Sequence, residues 1–263
     1  MTTAARLRAE DLSLGYGARH VIDGLDVSVP DGRVTAIVGA NACGKSTLLR
    51  GLARLLAPSG GTVLLDGRDI AARPSREVAR TLGMLPQTPV APEGISVRDL
   101  VGRGRHPHQS WWRQWDAADE AAVAEALAAT GTEDLAGRDI DELSGGQRQR
   151  VWLAMAVAQE TDLLLLDEPT TYLDMAHQLD VLELVAELNR RGRTVVMVLH
   201  DLNLACRYAD HVIAMRDGRI VDQGAPAATV TQELLRTVFD VEAAVLTDPA
   251  TGCPLVVPFR TAR

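Results

Sequence analysis

The sequence predicts an α/β fold built around a parallel sheet, and three observations predict it. Runs that are apolar almost throughout, "RVTAIVGA" (33–40), "TDLLLLDEP" (161–169) and "TVVMVLHD" (194–201), are the mark of strands buried in a sheet interior. A glycine-containing stretch, "GANACGKST" (39–47), separates the first of them from "KSTLLRGLARLL" (45–56), whose leucines recur with helical spacing. Between residues 88 and 158 the character becomes helical, so an α-helical insertion interrupts the α/β core.

Composition bounds the function. At 263 residues the chain is long enough to bury a sizeable core. Apolar residues at 46% against 24% charged exclude intrinsic disorder. The net charge of −8 argues against nucleic acid as a main partner, because phosphate contacts need clustered Lys and Arg. No apolar run approaches the roughly 20 residues that span a bilayer. The opening "MTTAARLRAEDLSLGYG" has no apolar signal core, so a cytoplasmic location is expected. Three cysteines far apart in sequence, Cys43, Cys206 and Cys253, fit a reducing compartment with no disulfide framework. Lys45 is the only lysine in the chain.

The elements follow in order. "LRAEDLSLGYG" and "HVIDGLDVSVPDG" alternate and end in turn residues, which predicts antiparallel strands. After the strand at 33–40 and the helix at 45–56, "SGGTVLLDG" (59–67) is a further short strand. Pro89, Pro92 and Gly94 break the chain, and the alanine-rich "DAADEAAVAEALAATG" (116–131) is a helix stopping at Gly131. "LSGGQRQR" (143–150) opens a helix with apolar residues at Val151, Ala154, Met155 and Ala158. Residues 175–190 place Val181, Leu184, Val185 and Leu188 on one helical face, with Gly192 as the stop. Residues 211–224 form a hairpin turning at Asp217-Gly218. The last thirty-odd residues carry little internal signal, and no repeats occur.

"GANACGKST" fits the phosphate-loop template, with Gly39, Gly44, Lys45 and Ser46 in the required places and a strand before and a helix after it. Successive main-chain N–H groups through Ala40, Asn41, Ala42 and Cys43, with the helix N-terminus, bind phosphate oxygens. Lys45 reaches the β- and γ-phosphates, the Ser46 hydroxyl holds Mg2+, and Thr47 adds a hydroxyl near the α-phosphate. Ala42 stands where glycine is common, so a less flexible residue is asked to make the same turn. Cys43 lies at a helix N-terminus, where a thiol pKa is lowered; its modification should block ATP binding, and ATP should protect it. A buried strand delivers Asp167 and Glu168 at its C-terminal end, where parallel sheets bind ligands. Asp167 is expected to hold Mg2+ through water, and Glu168 to orient or deprotonate the attacking water. Ser144, Gly145, Gly146 and Gln147 open a second anion-binding helix terminus, although a plain Ser N-cap would look the same.

Taken together, "GANACGKST", "LSGGQRQR" and "LLLLDEP" in this order and spacing resemble the ATP-binding subunits of ABC transporters. The resemblance implies a P-loop NTPase cassette with a RecA-like core, an antiparallel β-subdomain and an inserted α-helical subdomain. A single domain over 1–263 would divide into a nucleotide-binding core (1–87 and 159–230), a helical subdomain (88–158) and a C-terminal tail (231–263). It also implies a head-to-tail homodimer, in which the phosphate loop of one copy faces the LSGGQ helix of the other across ATP. Residue by residue, Tyr16 matches the aromatic that stacks on adenine, and Gln87 the glutamine that touches Mg2+ and the attacking water. Asp174 matches the loop that crosses the dimer interface, and His200, expected as a buried strand-end histidine, the switch contacting the γ-phosphate.

Three further stretches, 102–112, 170–185 and 199–218, resemble the ATPases of ferric-siderophore importers, of the ferric-enterobactin type. Haem and cobalamin importers share much of the pattern, so they remain the alternative; a soluble non-transport ABC ATPase fits less well. What this implies is an ATPase, ATP + H2O to ADP + phosphate, on the cytoplasmic side of the inner membrane. Its partners would be FecCD-like permease subunits and, indirectly, an extracytoplasmic siderophore-binding protein. His106 and His108 are read as structure or permease contact rather than metal ligands, and Trp111, Trp112 and Trp115 as packing or docking surface.

Overall fold

The computed structural model describes residues 5–109 and 114–262. In chain order, β1 (Leu7–Tyr16) and β2 (Arg19–Val29) precede β3 (Val34–Gly39), α1 (Lys45–Leu52), β4 (Gly60–Leu65) and β5 (Arg68–Asp69). Then come α2 (Ser75–Thr81), β6 (Leu82–Leu85), α3 (Val97–Gly102), α4 (Ala117–Ala129), α5 (Gly145–Ala158), β7 (Leu163–Asp167) and α6 (Met175–Arg190). The chain closes with β8 (Thr194–Val198), α7 (Leu202–Tyr208), β9 (His211–Arg216) and β10 (Arg219–Gly224). Last are α8 (Pro226–Thr229), α9 (Gln232–Phe239), β11 (Val241–Thr247) and β12 (Pro254–Thr261). Two compact units result, Met1–Arg73 with Thr194–Arg263, and Pro74–Arg193. Among the described residues no helix is long and apolar enough to cross a membrane.

In the first unit, an antiparallel sheet of order β2-β1-β4-β5 lies beside strands of order β10-β9-β3-β8. The alternating stretches before residue 30 thus form the expected antiparallel pair, from Leu7 opposite Val29 to Tyr16 opposite Arg19. β3 is buried at every residue and lies parallel to both neighbours, Val34 opposite Val195 and Thr35 opposite His211. An apolar run without alternation is what burial on both faces demands. The β9–β10 hairpin turns at Asp217 and Gly218, both left-handed at φ 48 and 75, as the Asp-Gly pair requires. The first helix is shorter than its periodicity predicts. It stops at Leu52 because Arg54 turns left-handed (φ 60), and its guanidinium donates to the carbonyls of Arg73 and Ala71.

The C-terminal segment is organised despite its weak sequence signal. Thr231 caps α9, its hydroxyl accepting from Leu234 N at 3.1 Å, and β11 and β12 pair antiparallel. Asn203 of α7 grips the middle of β12: its amide donates to Val256 O at 3.2 Å, and its carbonyl accepts from Val256 N at 2.7 Å. Pro258 and eight-residue lengths hide these elements from pattern reading.

In the second unit β6 and β7 pair in parallel, with helices on either side in sequence. α4 begins with a reciprocal cap between Asp116 and Asp119 and ends before Gly131 (φ 59), as expected. On α6 the buried face is Val181, Leu182, Val185 and Leu188; Leu184, assigned to it by periodicity, is only half-buried. The "RGRHPH" stretch is a structural hub. Arg105, 3% exposed, donates to Asp119 at 2.9 Å, to Glu160 at 2.6 Å and to Ala158 O at 2.7 Å. Arg76 and Arg80 both donate to Pro107 O, and His108 Nε2 lies 2.8 Å from Gln159 O. Trp115 covers Gly102 and donates to Glu120, so it packs while remaining partly exposed. Trp111 and Trp112 lie outside the described residues.

Candidate functional site

The first unit holds the phosphate loop. Leaving β3, the chain passes through Gly39 (φ 152), Ala42 (φ 60) and Gly44 (φ 107), and alternating left-handed positions of this kind are what main-chain anion nests are built from. Ala42 therefore occupies the left-handed region as the motif asks, at a cost of about 1–2 kcal/mol that glycine would not incur. The loop is braced from behind: Gly218 N donates to Cys43 O at 2.8 Å, so the β9–β10 turn supports it. Lys45 is 5% exposed, and its ammonium donates to Gly39 O and Ala40 O, each at 2.9 Å. Both acceptors are neutral, so the loop keeps a full positive charge with which to meet an anion. Ser46 is half-buried and Thr47 buried in the first turn of α1, whereas Asn41 and Ala42 are exposed at the loop's rim.

Cys43 corrects the expectation of an activated thiol. It is buried, and burial pushes its pKa up; the nearby Lys45 charge opposes this but is the smaller effect. A helix N-terminus lowers a thiol pKa only where solvent or charge can stabilise the thiolate.

Tyr16 and His200 belong to the same unit. Tyr16 ends β1, 45% exposed, with Arg50 of α1 donating to its hydroxyl at 3.3 Å. Ile37 on β3 registers with Val198 on β8, so two residues further on Gly39 and His200 leave the sheet at the same end. His200 is exposed rather than buried, because the strand ends at Val198 and Asp201 already caps α7.

The second unit holds the acidic pair. Leu85 on β6 registers with Leu166 on β7, so Gln87 and Glu168 follow at one end of the pair. Asp167 is fully buried at the end of β7, Glu168 nearly so, and Gln87 exposed. Glu168 is left-handed (φ 55); Thr171 donates to its carboxylate with the hydroxyl and to its carbonyl with the amide, both at 3.2 Å. Sequence reasoning missed Thr171 and also Gln149, whose amide donates to Pro169 O at 3.2 Å. The repeated Thr in "DEPTT" was the only signal for the first, and none pointed to the second.

α5 opens in the same unit with a reciprocal cap: Ser144 Oγ accepts from Gln147 N at 3.3 Å, and Gln147 Oε1 accepts from Ser144 N at 3.1 Å. Ser144 and Gly145 are exposed, and an open groove here is lined by Ser144, Gly145, Gly146, Gln147, Tyr172 and Asp174. Asp174 caps α6 through His177 N at 2.9 Å, and hydrogen bonds from His177 hold its carboxyl below the usual range. The structure thus groups Asp174 with the Ser144 turn. Neither α1 nor α5 carries an acidic residue in its first turn, a feature they share with α6, α7 and α8. Both termini suit a bound anion.

Oxygen donors of the kind Mg2+ takes occur in each unit, Ser46 in the first and Gln87 and Asp167 in the second. A hydroxyl (Ser46), an amide (Gln87) and a carboxylate (Asp167) are hard oxygen ligands.

Comparison with known proteins agrees. The family model described as ABC transporter matches residues 22–171. The ferric enterobactin transport ATP-binding protein FepC of Escherichia coli (strain K12) is 55% identical over 262 residues, 99% of this chain and 97% of that protein. The achromobactin transport ATP-binding protein CbrD of Dickeya dadantii (strain 3937) is 53% identical over 254 residues, 96% of this chain and 94% of that protein. A cobalamin import ATP-binding protein of Halobacterium salinarum is 43% identical over 94% of this chain and 62% of its own length. Among solved structures, a chain of a metal-chelate type ABC transporter in an inward-facing conformation superposes with a TM-score of 0.82 at 30% identity, covering 99% of this chain and 98% of that one. On both the family match and these identities, the chain belongs to the ABC transporter family, among its ATP-binding proteins.

Proposed function

We propose that the chain is the ATP-hydrolysing subunit of an importer for iron–siderophore complexes. The observation that carries this reading is the near end-to-end identity with siderophore-transport ATP-binding proteins, which exceeds that with the cobalamin one. It works as a homodimer on the cytoplasmic side of the membrane, against FecCD-like permease subunits, with residues 88–158 as the helical subdomain between core segments 1–87 and 159–230. Lys45 and the loop N–H groups neutralise and orient the phosphates. Tyr16 stacks on the base. Ser144, Gly145, Gly146 and Gln147 present N–H groups and a hydroxyl to the nucleotide of the partner copy, and Asp174 lies at that interface. Glu168 takes the proton of the attacking water, while Gln87 and His200 orient the water and the γ-phosphate. Mg2+ bound by Ser46, Gln87 and Asp167 would supply charge neutralisation at the phosphates.

The test is uptake of radioiron–siderophore by cells that lack other siderophore ATPases and express this chain with its permease. Wild type should restore uptake and Lys45→Ala should abolish it. Restoration of cobalamin uptake, with none of iron, would overturn the assignment.

A further inference from the structure

Glu168 poses a mechanical problem. A proton acceptor must be held steady, yet its side chain has three rotatable bonds and sits on a left-handed backbone (φ 55) just past the end of β7. The described contacts resolve this at two levels. At the backbone, Thr171 N donates to Glu168 O at 3.2 Å, closing a tight turn over 168–171. From the side, Gln149 of α5 donates to Pro169 O at 3.2 Å, and Gln149 is itself buried. The turn is therefore fixed without any side chain of its own.

At the carboxylate, Thr171 Oγ1 donates to Glu168 Oε2 at 3.2 Å. A hydroxyl suits this task. It offers one proton to a carboxylate oxygen, and it does not compete for the proton as a second acid would. Thr is also stiff at χ1, so the donor is aimed by its own backbone.

We propose that Thr171 is a positioning residue for ATP hydrolysis, setting the Glu168 carboxylate through its hydroxyl. The inference rests on the assignment of Glu168 as the base. Because the turn is held by main-chain and Gln149 contacts, loss of the hydroxyl removes this hold on the carboxylate without unmaking the turn.

The experiment is steady-state ATP turnover by the purified full chain, comparing wild type, Thr171→Val, Thr171→Ser and Glu168→Gln. Thr171→Val should lower kcat about tenfold with KM for MgATP unchanged, since the carboxylate loses its aim at the attacking water while the residues assigned to nucleotide binding are left intact. Thr171→Ser should recover turnover to within about twofold. If the valine destabilises the fold, Thr171→Ala carries the same expectation without adding bulk. Wild-type kcat in Thr171→Val beside an inactive Glu168→Gln would overturn the proposal and leave the assignment of Glu168 standing. A raised KM at unchanged kcat, or serine as impaired as valine, would overturn it equally. Full turnover by Glu168→Gln would remove the base itself, and the positioning role with it.

Discussion

A Cβ placed on Gly39 would lie 2.2 Å from the carbonyl oxygen of Met215. It would also come within 2.9 Å of Cys43 Sγ. Gly39 is thus required by the packing of β3 on β9 as well as by the phosphate loop. Gly39→Ala should cost about 2 kcal/mol or more of stability, from overpacking and strain. Gly145→Ala, whose Cβ would meet Tyr172 no closer than 3.6 Å, should fold normally and lose only nucleotide-dependent association. Thermal melts of both variants without nucleotide check this; equal melting temperatures would contradict it.

Ala42 invites the opposite substitution. Glycine relieves the left-handed strain, but it also loosens the unfolded chain by roughly 0.4–1 kcal/mol. The two effects nearly cancel, so Ala42→Gly should leave stability unchanged to within about 1 kcal/mol. Ala42→Val, β-branched at φ 60, should destabilise and weaken ATP binding. Chemical denaturation with and without MgATP separates the two variants.

Thiol chemistry should follow burial. Cys253 is half-exposed, whereas Cys43 and Cys206 are buried. Burial raises the pKa of Cys43 and pushes that of Cys206 up to about 11. Maleimide at neutral pH should label Cys253 first and Cys43 slowly, with the Cys43 rate climbing as pH rises. Both folded thiols keep a proton that the unfolded chain releases near pH 8.5. Their contribution to stability is therefore full below that pH and is lost as pH rises above it. Peptide-resolved mass spectrometry of labelling against pH is decisive, and fast labelling of Cys43 at pH 7 would refute the order.

Arg105 should dominate the stability of the helices around it. Arg105→Met leaves Asp119, 1% exposed, without its cation, and a broken buried pair costs about 3–5 kcal/mol. Arg105→Met with Asp119→Leu should recover a large part of that loss. Denaturant midpoints of the single and double variants measure the difference; a double variant no better than the single would exclude the charge as the cause.

Much of this was legible in the chain. Strands at 34–39, 163–167 and 194–198 follow from apolar runs, the turn at Asp217-Gly218 from its residue pair, and the loop and LSGGQ helix from motif spacing. What escaped depends on neighbours remote in sequence. The Cys43 thiol is governed by its burial, and Arg105 by acids at 119 and 160. Leu182 replaces Leu184 on the α6 face because the packing of its surroundings, rather than ideal periodicity, selects the stripe. The β11–β12 ribbon is steadied by Asn203, some fifty positions earlier, a hydrogen bond for which no local pattern exists.

The lysine cradled by Gly39 and Ala40 is the only side-chain amine in the molecule. Amine chemistry, so often indiscriminate on a protein surface, here has a single side-chain address, and that address is the nucleotide loop. Isotope-labelled reductive methylation would place one side-chain probe at the phosphate cradle with no mutation, and its resonance would report occupancy of the loop directly.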